Sequence, residues 1–276
     1  MMRRLGDIVG AAHIGPTMVV TVITVAIGAV SGLGPERVAI VGVMMLFNQL
    51  SIGWSNDAID VVRDREAARV DKPVGRGDVS ARTIMTLAIS AAVLSLLISL
   101  LLGPALVAVH LVALASGWAY NAGLKRTIAA TACYLVGFGL IPLIVTLARE
   151  DPRPAAWWAI AMGALLGGAA HFANVLPDLD DDRRHGIRSL PHRLGARPAS
   201  IIALVALAIA GTLGVVGPAV ISPVSIVGAA ATVTMLITGV IVMVRAPHSR
   251  ALFRVIMVAA LAAVVTLAGA AGSIVV

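Results

Sequence analysis

The chain consists of long apolar runs separated by short polar stretches that contain most of its charges. Each run is close to the length of about 20 apolar residues that an α-helix needs to cross the hydrocarbon core of a bilayer. A window of that length predicts nine segments, at residues 13–32, 36–56, 81–102, 104–120, 127–148, 155–177, 198–216, 220–244 and 251–275. The divisions at Gly103-Pro104 and Gly217-Pro218 are tight, so a count of eight stays open. The pattern predicts an all-α membrane protein with about nine transmembrane helices in one bundle.

The composition supports a membrane protein and excludes two other classes. Hydrophobic residues make up 59% of the 276 positions and charged residues only 13%, with a mean hydropathy of +0.97. A soluble domain is about one quarter charged, so a soluble globular enzyme is excluded. An outer-membrane barrel is excluded because its strands alternate and carry aromatic girdles, whereas aromatic residues are 4% here. The longest charged stretch, from Asp57 to Arg82, is too short for a soluble domain, so residues 1–276 are predicted to form one integral-membrane domain.

The basic residues predict which side of the membrane each connection faces. With a cytoplasmic N-terminus and nine spans, all but three of the 21 basic residues lie in cytoplasmic segments, the exceptions being Arg37, Arg149 and Arg153. The positive-inside rule predicts this asymmetry. The net charge of +7 therefore indicates a cytoplasmic membrane face and not a nucleic-acid surface, and no obligate protein partner is inferred. Arginine outnumbers lysine and Ala, Val and Gly are abundant, which is typical of a GC-rich bacterial genome and indicates a bacterial cell membrane.

Most of the 14 acidic residues lie in two cytoplasmic segments that share a motif. Both read N-x-x-x-D-x-x-x-D-R, formed first by Asn56, Asp60, Asp64 and Arg65 and, 118 residues later, by Asn174, Asp178, Asp182 and Arg183. Because all four positions match at identical spacing, the chain is predicted to contain two related halves. Residues four apart on a helix differ by only about 40° in direction, so each motif predicts a polar stripe at the cytoplasmic end of a span.

Paired carboxylates in such a position indicate a bound cation or a cationic partner. Close carboxylates repel each other and resist ionisation unless positive charge neutralises them. Oxygen ligands of this kind suit Mg²⁺, which uses one or two carboxylates together with phosphate oxygens of a substrate. Two facing stripes could therefore hold a diphosphate through bridging Mg²⁺ ions, while an ordinary solvated loop is the alternative for either acidic cluster alone.

Basic residues near these segments are candidates for contacts with phosphate oxygens. Arg76 follows the first motif, and Lys125 lies at the cytoplasmic end of the fourth span, where a lysine can contact a departing diphosphate as a point charge. Simple positive-inside anchoring is the alternative for Lys125, and an interfacial aromatic is the alternative for Tyr120. Arg65 and Arg183 repeat with the motif and either contact substrate or balance the carboxylates. The sequence contains no zinc-protease, serine-hydrolase, P-loop or dinucleotide motif.

The histidines and the cysteine are weaker candidates. His13 and His110 lie in or beside apolar spans, where a hydrogen bond between helices is the expected role. His171 lies one turn before Asn174 and points roughly towards the same stripe. The single cysteine, Cys133, permits no intrachain disulfide.

These motifs resemble those of the UbiA superfamily of intramembrane prenyltransferases. The resemblance rests on Asn56-Asp57-x-x-Asp60-x-x-x-Asp64 and on Asp178-x-x-x-Asp182. It extends to the basic stretch that ends at Arg76 and to residues 120–125 and 182–191. Nine spans with a cytoplasmic N-terminus also agree, so the similarity covers essentially the whole chain.

The resemblance implies a role for each site residue. Asp60, Asp64, Asp178 and Asp182 would hold two or more Mg²⁺ ions that bridge the diphosphate of an allylic isoprenoid, assisted by Asn56 and Asn174. Lys125 and Arg76 would contact its phosphate oxygens. The other substrate-binding candidates are Asp57, Lys72, Tyr120, Asn121, Arg65 and Arg183. Many relatives carry Arg-Pro where this chain has Lys72-Pro73, and a tyrosine where Asn121 stands four residues before the lysine.

The resemblance also implies the reaction. The enzyme would ionise an isoprenyl diphosphate and transfer the prenyl group to a small-molecule acceptor, usually aromatic, within the lipid bilayer. No span carries an arginine in its predicted middle to hold an acceptor carboxylate, so a terpene cyclase that uses no acceptor stays open. Outside enzymes, the alternative is a secondary transporter of an organic anion, because related halves and charged sites near helix ends are typical of transporters.

Overall fold

The structure is a computed structural model that describes residues 2–66, 72–179, 182, 186–246 and 249–276, with side chains from Leu5 onward. In these residues the backbone forms helices and their connections, together with one isolated β-bridge between Ala155 and Val275. The predicted all-α fold is therefore confirmed for the part of the chain that the structure describes.

The helices are numbered in chain order over the described residues. They are α1 (Met2–Gly10), α2 (Ile14–Val30), α3 (Pro35–Ile59), α4 (Val61–Glu66), α5 (Pro73–Arg76), α6 (Ala81–Ser99), α7 (Pro104–Ala122), α8 (Ala130–Leu147), α9 (Trp157–Val175), α10 (Leu190–Leu194), α11 (Ala196–Val216), α12 (Pro223–Arg245) and α13 (Arg250–Gly269). Short 3₁₀ turns occur at Leu100–Leu102, Leu124–Arg126, Leu176–Asp178 and Ala271–Ser273. Two of these turns carry candidate site residues, Lys125 and Asp178.

The long helices correspond to the predicted membrane spans. In the described chain, eight helices are long and apolar enough to cross a membrane, namely α3, α6, α7, α8, α9, α11, α12 and α13. The remaining predicted span corresponds to α2, which is apolar but has 17 residues. At the tight division between the third and fourth spans, Gly103 takes a φ of 104° and Pro104 begins α7. The protein is therefore a multi-pass membrane protein.

Proline and serine residues determine where several helices begin. Pro35 and Pro223 occupy the first turn of α3 and α12, where a missing N–H breaks no helical hydrogen bond. Ser80 and Ser249 precede α6 and α13, and each hydroxyl accepts from the backbone N–H three residues on, at 3.0 and 3.1 Å. Such caps satisfy N–H groups that have no partner within the helix.

The helices pack into one bundle whose centre is α9. Neighbours largely follow chain order, with α2 against α3, α8 against α9 and α12 against α13, and α13 also packs against α9 and α2. A Cβ at Gly163 or Gly167 of α9 would come within 2.7 and 2.5 Å of the backbone oxygens of Phe138 and Tyr134 in α8. These two glycines allow α8 and α9 to approach closely. The close approach places Tyr134 beside the functional end of α9.

Both acidic motifs lie at the same end of the bundle. The first motif follows α3 and the second follows α9. The connection after α7 lies beside both, because Lys125 in this connection contacts Asp60, and the Arg188 N–H, beyond the second motif, donates to the Arg126 carbonyl at 3.3 Å. The first asparagine of each motif also lines one common cavity. The fold thus brings together two segments that are far apart in the sequence.

Candidate active site

The first acidic motif passes from α3 into α4 with its helical hydrogen bonding intact. The Asp60 N–H donates to the Asn56 carbonyl at 3.0 Å, and the Asp64 N–H donates to the Asp60 carbonyl at 2.9 Å. These are the bonds to the fourth preceding residue that define an α-helix. The predicted polar stripe is therefore kept across the break after Ile59. Asp60 and Asp64 are both buried.

Asp60 is neutralised by two basic side chains. Lys125 Nζ donates to both carboxylate oxygens at 2.5 and 2.6 Å, and Arg63 donates to one of them at 2.8 Å. Lys125 is only 6% exposed, and this burial lowers the pKa of its ammonium group, while the Asp60 carboxylate acts in the opposite direction. Lys125 thus reaches the first motif from the connection after α7 and contacts the carboxylate directly.

Asp64 is less fully compensated than Asp60. It is 2% exposed, and the Arg63 guanidinium lies 3.6 Å from its Oδ1. Burial raises the pKa of Asp64 above its usual value, against the opposing effects of Lys72 and Arg63. Gly75 of α5 packs against it, since a Cβ there would lie 3.1 Å from the Asp64 Cβ. A buried carboxylate in this state favours a cation that replaces its lost hydration.

Asp57, Lys72 and His13 form a second charged cluster beside the first motif. Lys72 Nζ donates to Asp57 Oδ1 at 2.6 Å, and His13 Nε2 lies 2.8 Å from that oxygen and 2.7 Å from Lys72 Nζ. His13 has a left-handed backbone with φ 50°, which is uncommon outside glycine. Sequence reasoning did not identify His13 as a partner of this pair, because the pairing depends on how α1 and α2 pack against α3. The predicted contact of Lys72 with substrate stays a prediction.

The amide groups of Asn56 and Asn121 connect α3 to α7. Asn121 Nδ2 donates to the Ile52 carbonyl and to the Ser55 hydroxyl, both at 2.8 Å. Its Oδ1 accepts from Asn56 Nδ2 at 3.0 Å. Among the described residues, no donor contacts Asn56 Oδ1, so this oxygen is the atom that Asn56 offers to a ligand. Asn121 therefore holds Asn56 in place and also lines the adjoining cavity.

The second motif begins on α9 and continues through a 3₁₀ turn. α9 ends at Val175 and continues as the 3₁₀ turn Leu176–Asp178. Pro177 explains the change, because it has no N–H to donate and its ring clashes with the preceding turn of an α-helix. Asp178 is exposed, and Asp182 lies 3.2 Å from Nε2 of the buried His192. The backbone at Leu176 and Leu179 stays in the right-handed helical region, and residues 180 and 181 lie outside the described residues, so the predicted stripe of this motif stays a prediction.

The arginine candidates have different surroundings. Arg65 is exposed near the end of α4. Arg76 donates to Asp78 at 2.6 Å, and its Nη2 lies 3.5 Å from Asp7. Arg183 lies outside the described residues. Their predicted contacts with substrate stay predictions.

An aromatic cluster lies between the two motifs. Tyr120 contacts Tyr134 edge to face, with ring centroids 5.3 Å apart, and Tyr134 and Asn174 line the same two cavities. The His171 ring lies 4.8 Å from that of Tyr134, and neither of its nitrogens has a hydrogen-bond partner among the described residues. Sequence reasoning did not single out Tyr134. Only the packing of α8 on α9 shows that it contacts Tyr120 and lines the same cavities as Asn174 of the second motif.

The candidate metal ligands share one type of donor atom. All of them offer oxygen, and they are Asn56, Asp60, Asp64, Asn174, Asp178 and Asp182. Within the part of the chain that the structure describes, no group of three or more His, Cys, Asp or Glu side chains could hold a metal ion. The donor chemistry fits a hard cation such as Mg²⁺, which normally takes further oxygen ligands from substrate phosphates and water.

Two adjoining cavities extend from this site into the bundle. The polar chamber, about 510 Å³, runs from Asn56 at the motif end to Met45 deeper in α3. The apolar chamber, about 390 Å³, is lined by α2, α8, α9 and α13, and its polar side chains among the described residues are Tyr134 and Asn174. Both of these residues also line the polar chamber. The two chambers therefore meet at the end of α9 that carries the second motif.

The fold and this site define a multi-pass helical membrane protein in which buried carboxylates and their basic partners stand at one end of largely apolar chambers. The chain belongs to the UbiA prenyltransferase family, whose family model matches residues 17–263. The match includes both acidic motifs. The resemblance noted from the sequence is confirmed.

Individual relatives extend this similarity. The chain is 28% identical over 179 residues to the bacteriochlorophyll synthase 33 kDa chain of Cereibacter sphaeroides, and the match spans 60% of this chain but only 56% of that protein. A solved structure of digeranylgeranylglyceryl phosphate synthase is similar with a TM-score of 0.74 at 12% identity, covering 98% of this chain and 99% of that one. A UbiA homologue from Archaeoglobus fulgidus bound to GPP and Mg²⁺ is similar with a TM-score of 0.68 at 14% identity, covering 95% and 98%. At such identities the structures establish a common fold.

Proposed function

We propose that the protein is a Mg²⁺-dependent intramembrane prenyltransferase. It would ionise an allylic isoprenyl diphosphate and transfer the prenyl group to a small-molecule acceptor. The observation that carries the proposal is the buried Asp60–Lys125 ion pair beside the buried Asp64 carboxylate, at the end of the bundle where the chambers begin. Family membership supports this reaction class, and the archaeal homologue bound to GPP and Mg²⁺ supports this pair of ligands.

The residues of the two motifs would bind the diphosphate end of the substrate. The metal would be held by oxygen atoms of Asn56, Asp60, Asp64, Asn174, Asp178 and Asp182. When bound, Mg²⁺ supplies positive charge that stabilises the leaving diphosphate. Lys125 has three N–H donors, so it can donate to a phosphate oxygen while it stays close to Asp60. Further cationic candidates around the diphosphate are Lys72, Arg65, Arg76 and Arg183.

The chambers would receive the apolar part of the substrate. The apolar lining of this chamber would keep water away from the allylic cation formed on ionisation. Tyr120 and Tyr134 stand between the motifs and this chamber, and the negative face of an aromatic ring stabilises a nearby cation. The distribution of basic residues supports a cytoplasmic position for the motif end. The abundance of Arg, Ala, Val and Gly supports a bacterial cell membrane.

Diphosphate release from an allylic substrate tests this proposal. Purified protein is incubated with geranyl, farnesyl or geranylgeranyl diphosphate, and release should fall to background in excess EDTA and return with Mg²⁺. Asp60→Asn should lower release by about 100-fold or more, because it removes a ligand of the metal ion that would stabilise the charge developing on the diphosphate. The exposed Asp151, in the connection between α8 and α9, provides the matched control Asp151→Asn. Undiminished release in EDTA contradicts the metal role, and undiminished release by Asp60→Asn contradicts the site.

A further inference from the structure

Three polar side chains lie in the polar chamber or behind its wall, away from the acidic motifs. Asn48 Nδ2 contacts His110 Nε2 at 2.9 Å, and Gln49 Nε2 donates to Asn48 Oδ1 at 3.0 Å. His110 and Asn48 are buried and Gln49 is partly exposed, and both Asn48 and Gln49 line the chamber. We call these three residues the amide row. Polar side chains inside a membrane bundle are costly and commonly mark a functional site.

The amide row leaves one oxygen atom for the contents of the chamber. Asn48 directs its Nδ2 to His110, so its Oδ1 faces Gln49 and accepts a hydrogen bond from Gln49 Nε2. The other polar atom of Gln49 is Oε1, and no donor among the described residues contacts it. Gln49 therefore offers a hydrogen-bond acceptor whose direction is set by its contact with Asn48, which is held in turn by the buried His110.

The position of Gln49 suits the far end of a second substrate. It precedes Asn56 by seven residues on α3, which corresponds to about 10 Å along the helix axis. The wall between them carries Ile52 and Gly53, and Ser116 and Gly117 of α7 also line this chamber. A ring-sized molecule that contacts Gln49 would thus have its other end near a prenyl diphosphate bound at Asn56. The apolar chamber remains for the prenyl tail.

The charges around the polar chamber bear on which acceptor it can bind. Among the described residues, the basic side chains that line it are His13 and Lys72, and both contact Asp57 at the motif end. A carboxylate or phosphate beside Gln49 would face a carbonyl oxygen in an apolar interior without a cation. Burying an unpaired charge in this way is strongly unfavourable, whereas a hydroxyl group can donate to Gln49 Oε1.

We infer that the amide row selects a neutral, hydroxyl-bearing acceptor and binds its hydroxyl group through Gln49 Oε1. The inference rests on the proposed function and names the substrate class of the polar chamber. In the transfer, the bond between prenyl C1 and the diphosphate oxygen breaks, and its electron pair goes to diphosphate. A nucleophilic atom of the acceptor forms the new bond to C1, and the proton it carried leaves with the diphosphate. The products are the prenylated acceptor and protonated diphosphate.

Two probes that differ by one carboxylate test the inference. They are naphthalene-1,4-diol and 1,4-dihydroxy-2-naphthoate, each given to the full-length protein with Mg²⁺ and geranylgeranyl diphosphate. Adducts are quantified by mass spectrometry, and KM is measured for each probe. For the wild type we expect a KM for the diol about tenfold or more below that for the carboxylate. The ratio of the two KM values is compared between variants, because the intrinsic reactivities of the two probes cancel in this comparison.

Substitutions at Gln49 should move this ratio in a defined direction. Gln49→Arg places a cation at the same depth in the chamber. It should lower the KM for the carboxylate relative to that for the diol about tenfold or more. Gln49→Met keeps the length of the side chain but removes the acceptor oxygen, and it should raise the KM for the diol about tenfold. Thr234→Val is the matched control, since Thr234 is exposed on α12, bonds only to its own helix and lines neither chamber. It should leave the ratio unchanged.

The possible outcomes separate this inference from the proposed function. A wild-type preference for the carboxylate, or a probe ratio that neither Gln49 variant changes, overturns the inference. If the protein binds labelled geranylgeranyl diphosphate in a Mg²⁺-dependent manner but forms no adduct from either probe, the inference is also overturned and the cyclase alternative is favoured. If the protein shows no Mg²⁺-dependent binding of this substrate, the proposed function itself is contradicted.

Discussion

Asp60 and Asp64, the two buried carboxylates of the first motif, differ in how their charge is compensated. Asp60 is contacted by Lys125 and Arg63, whereas Asp64 has Arg63 at 3.6 Å and a raised pKa. Removing one partner of a buried pair leaves an uncompensated charge and is strongly destabilising. Removing a buried charge that is poorly compensated has the opposite effect. We therefore expect substitution of Lys125, the partner of Asp60, and substitution of Asp64 to change stability in opposite directions.

Replacement of Lys125 should damage both stability and activity. Lys125→Met leaves the Asp60 carboxylate with Arg63 as its remaining contact and removes a cation from the leaving group. We expect a lower thermal-unfolding midpoint and a decrease of about 100-fold or more in diphosphate release. Arg126→Met is the matched control, because Arg126 is the exposed neighbour on the same 3₁₀ turn. If Arg126→Met lost activity and Lys125→Met kept it, the phosphate contact would belong to Arg126.

Replacement of Asp64 should separate stability from activity. Its folded pKa is raised above the usual 3.8, so the folded protein binds a proton there more tightly than the unfolded chain does. Stability therefore falls as the pH rises from the unfolded pKa through the folded pKa, and the full cost is present at neutral pH. Asp64→Asn removes that cost.

We expect Asp64→Asn to raise the midpoint of thermal unfolding in detergent at neutral pH by about 2–4 °C, while Mg²⁺-dependent diphosphate release is lost. Asp151→Asn, at an exposed carboxylate, should change neither quantity. A lower midpoint for Asp64→Asn would show that favourable contacts of the Asp64 carboxylate outweigh the cost of burying its charge.

Single glycines and one proline shape the elements that build the site. Pro177 lies where the hydrogen bonding at the end of α9 changes from α-helical to 3₁₀, within the second motif. Gly167 lets α9 approach the backbone of α8 where Tyr134 and Phe138 reach the chambers. The residues that shape the chambers thus include positions without any reactive group.

The contact of α9 with α8 is testable with a pair of adjacent glycines. A Cβ at Gly167 would lie 2.5 Å from the backbone carbonyl oxygen of Tyr134 and 2.6 Å from the Phe138 Cβ. A Cβ at Gly168 would meet only the flexible end of the Leu135 side chain, at 3.1 Å. We expect Gly167→Ala to cost about 1–3 kcal/mol and to reduce activity through the displaced aromatic side chains. Gly168→Ala should be close to neutral in thermal unfolding and turnover. Equal effects of the two variants would contradict the close packing.

At the scale of the whole molecule, the bundle has two chemically different ends. The motif end gathers the acidic segments and most basic residues, while the opposite end carries the connection with Arg149, Asp151 and Arg153. Lys and Arg are retained on the cytoplasmic side during membrane insertion, so the motif end should face the cytoplasm. A soluble diphosphate substrate would then enter from the cytoplasm.

Cysteine labelling at the two ends of α8 tests this orientation. In a Cys133→Ala background, Ile128→Cys lies at the motif end and Asp151→Cys at the opposite end, and both original side chains are exposed. We expect a membrane-impermeant maleimide to label Asp151→Cys in intact spheroplasts and to label Ile128→Cys only after permeabilisation. The unlabelled Cys133→Ala parent is the control. The reverse pattern would place the N-terminus outside.

The helical spans and the repeated motif could be predicted because they depend on local properties of the chain. Bilayer thickness sets how many apolar residues a span needs, and the helical repeat sets which residues share a face. The segment predicted at 81–102 coincides with the apolar helix Ala81–Leu102, and the stripe from Asn56 to Asp64 keeps its helical bonds. Pro177 was visible in the sequence, and it explains why the hydrogen bonding within the second motif changes to a 3₁₀ turn.

The sequence alone thus determined the apolar spans, the acidic positions and the family, since each rests on residues close together in the chain or on a linear motif. Tertiary structure decided which distant groups meet those residues: Lys125 pairs with Asp60, His13 with Asp57, and His110 with Asn48. These pairs depend on which helices pack side by side. Hydropathy does not specify that packing, because an apolar helix face is equally compatible with lipid and with a neighbouring helix. Small residues and polar contacts between helices decide it instead.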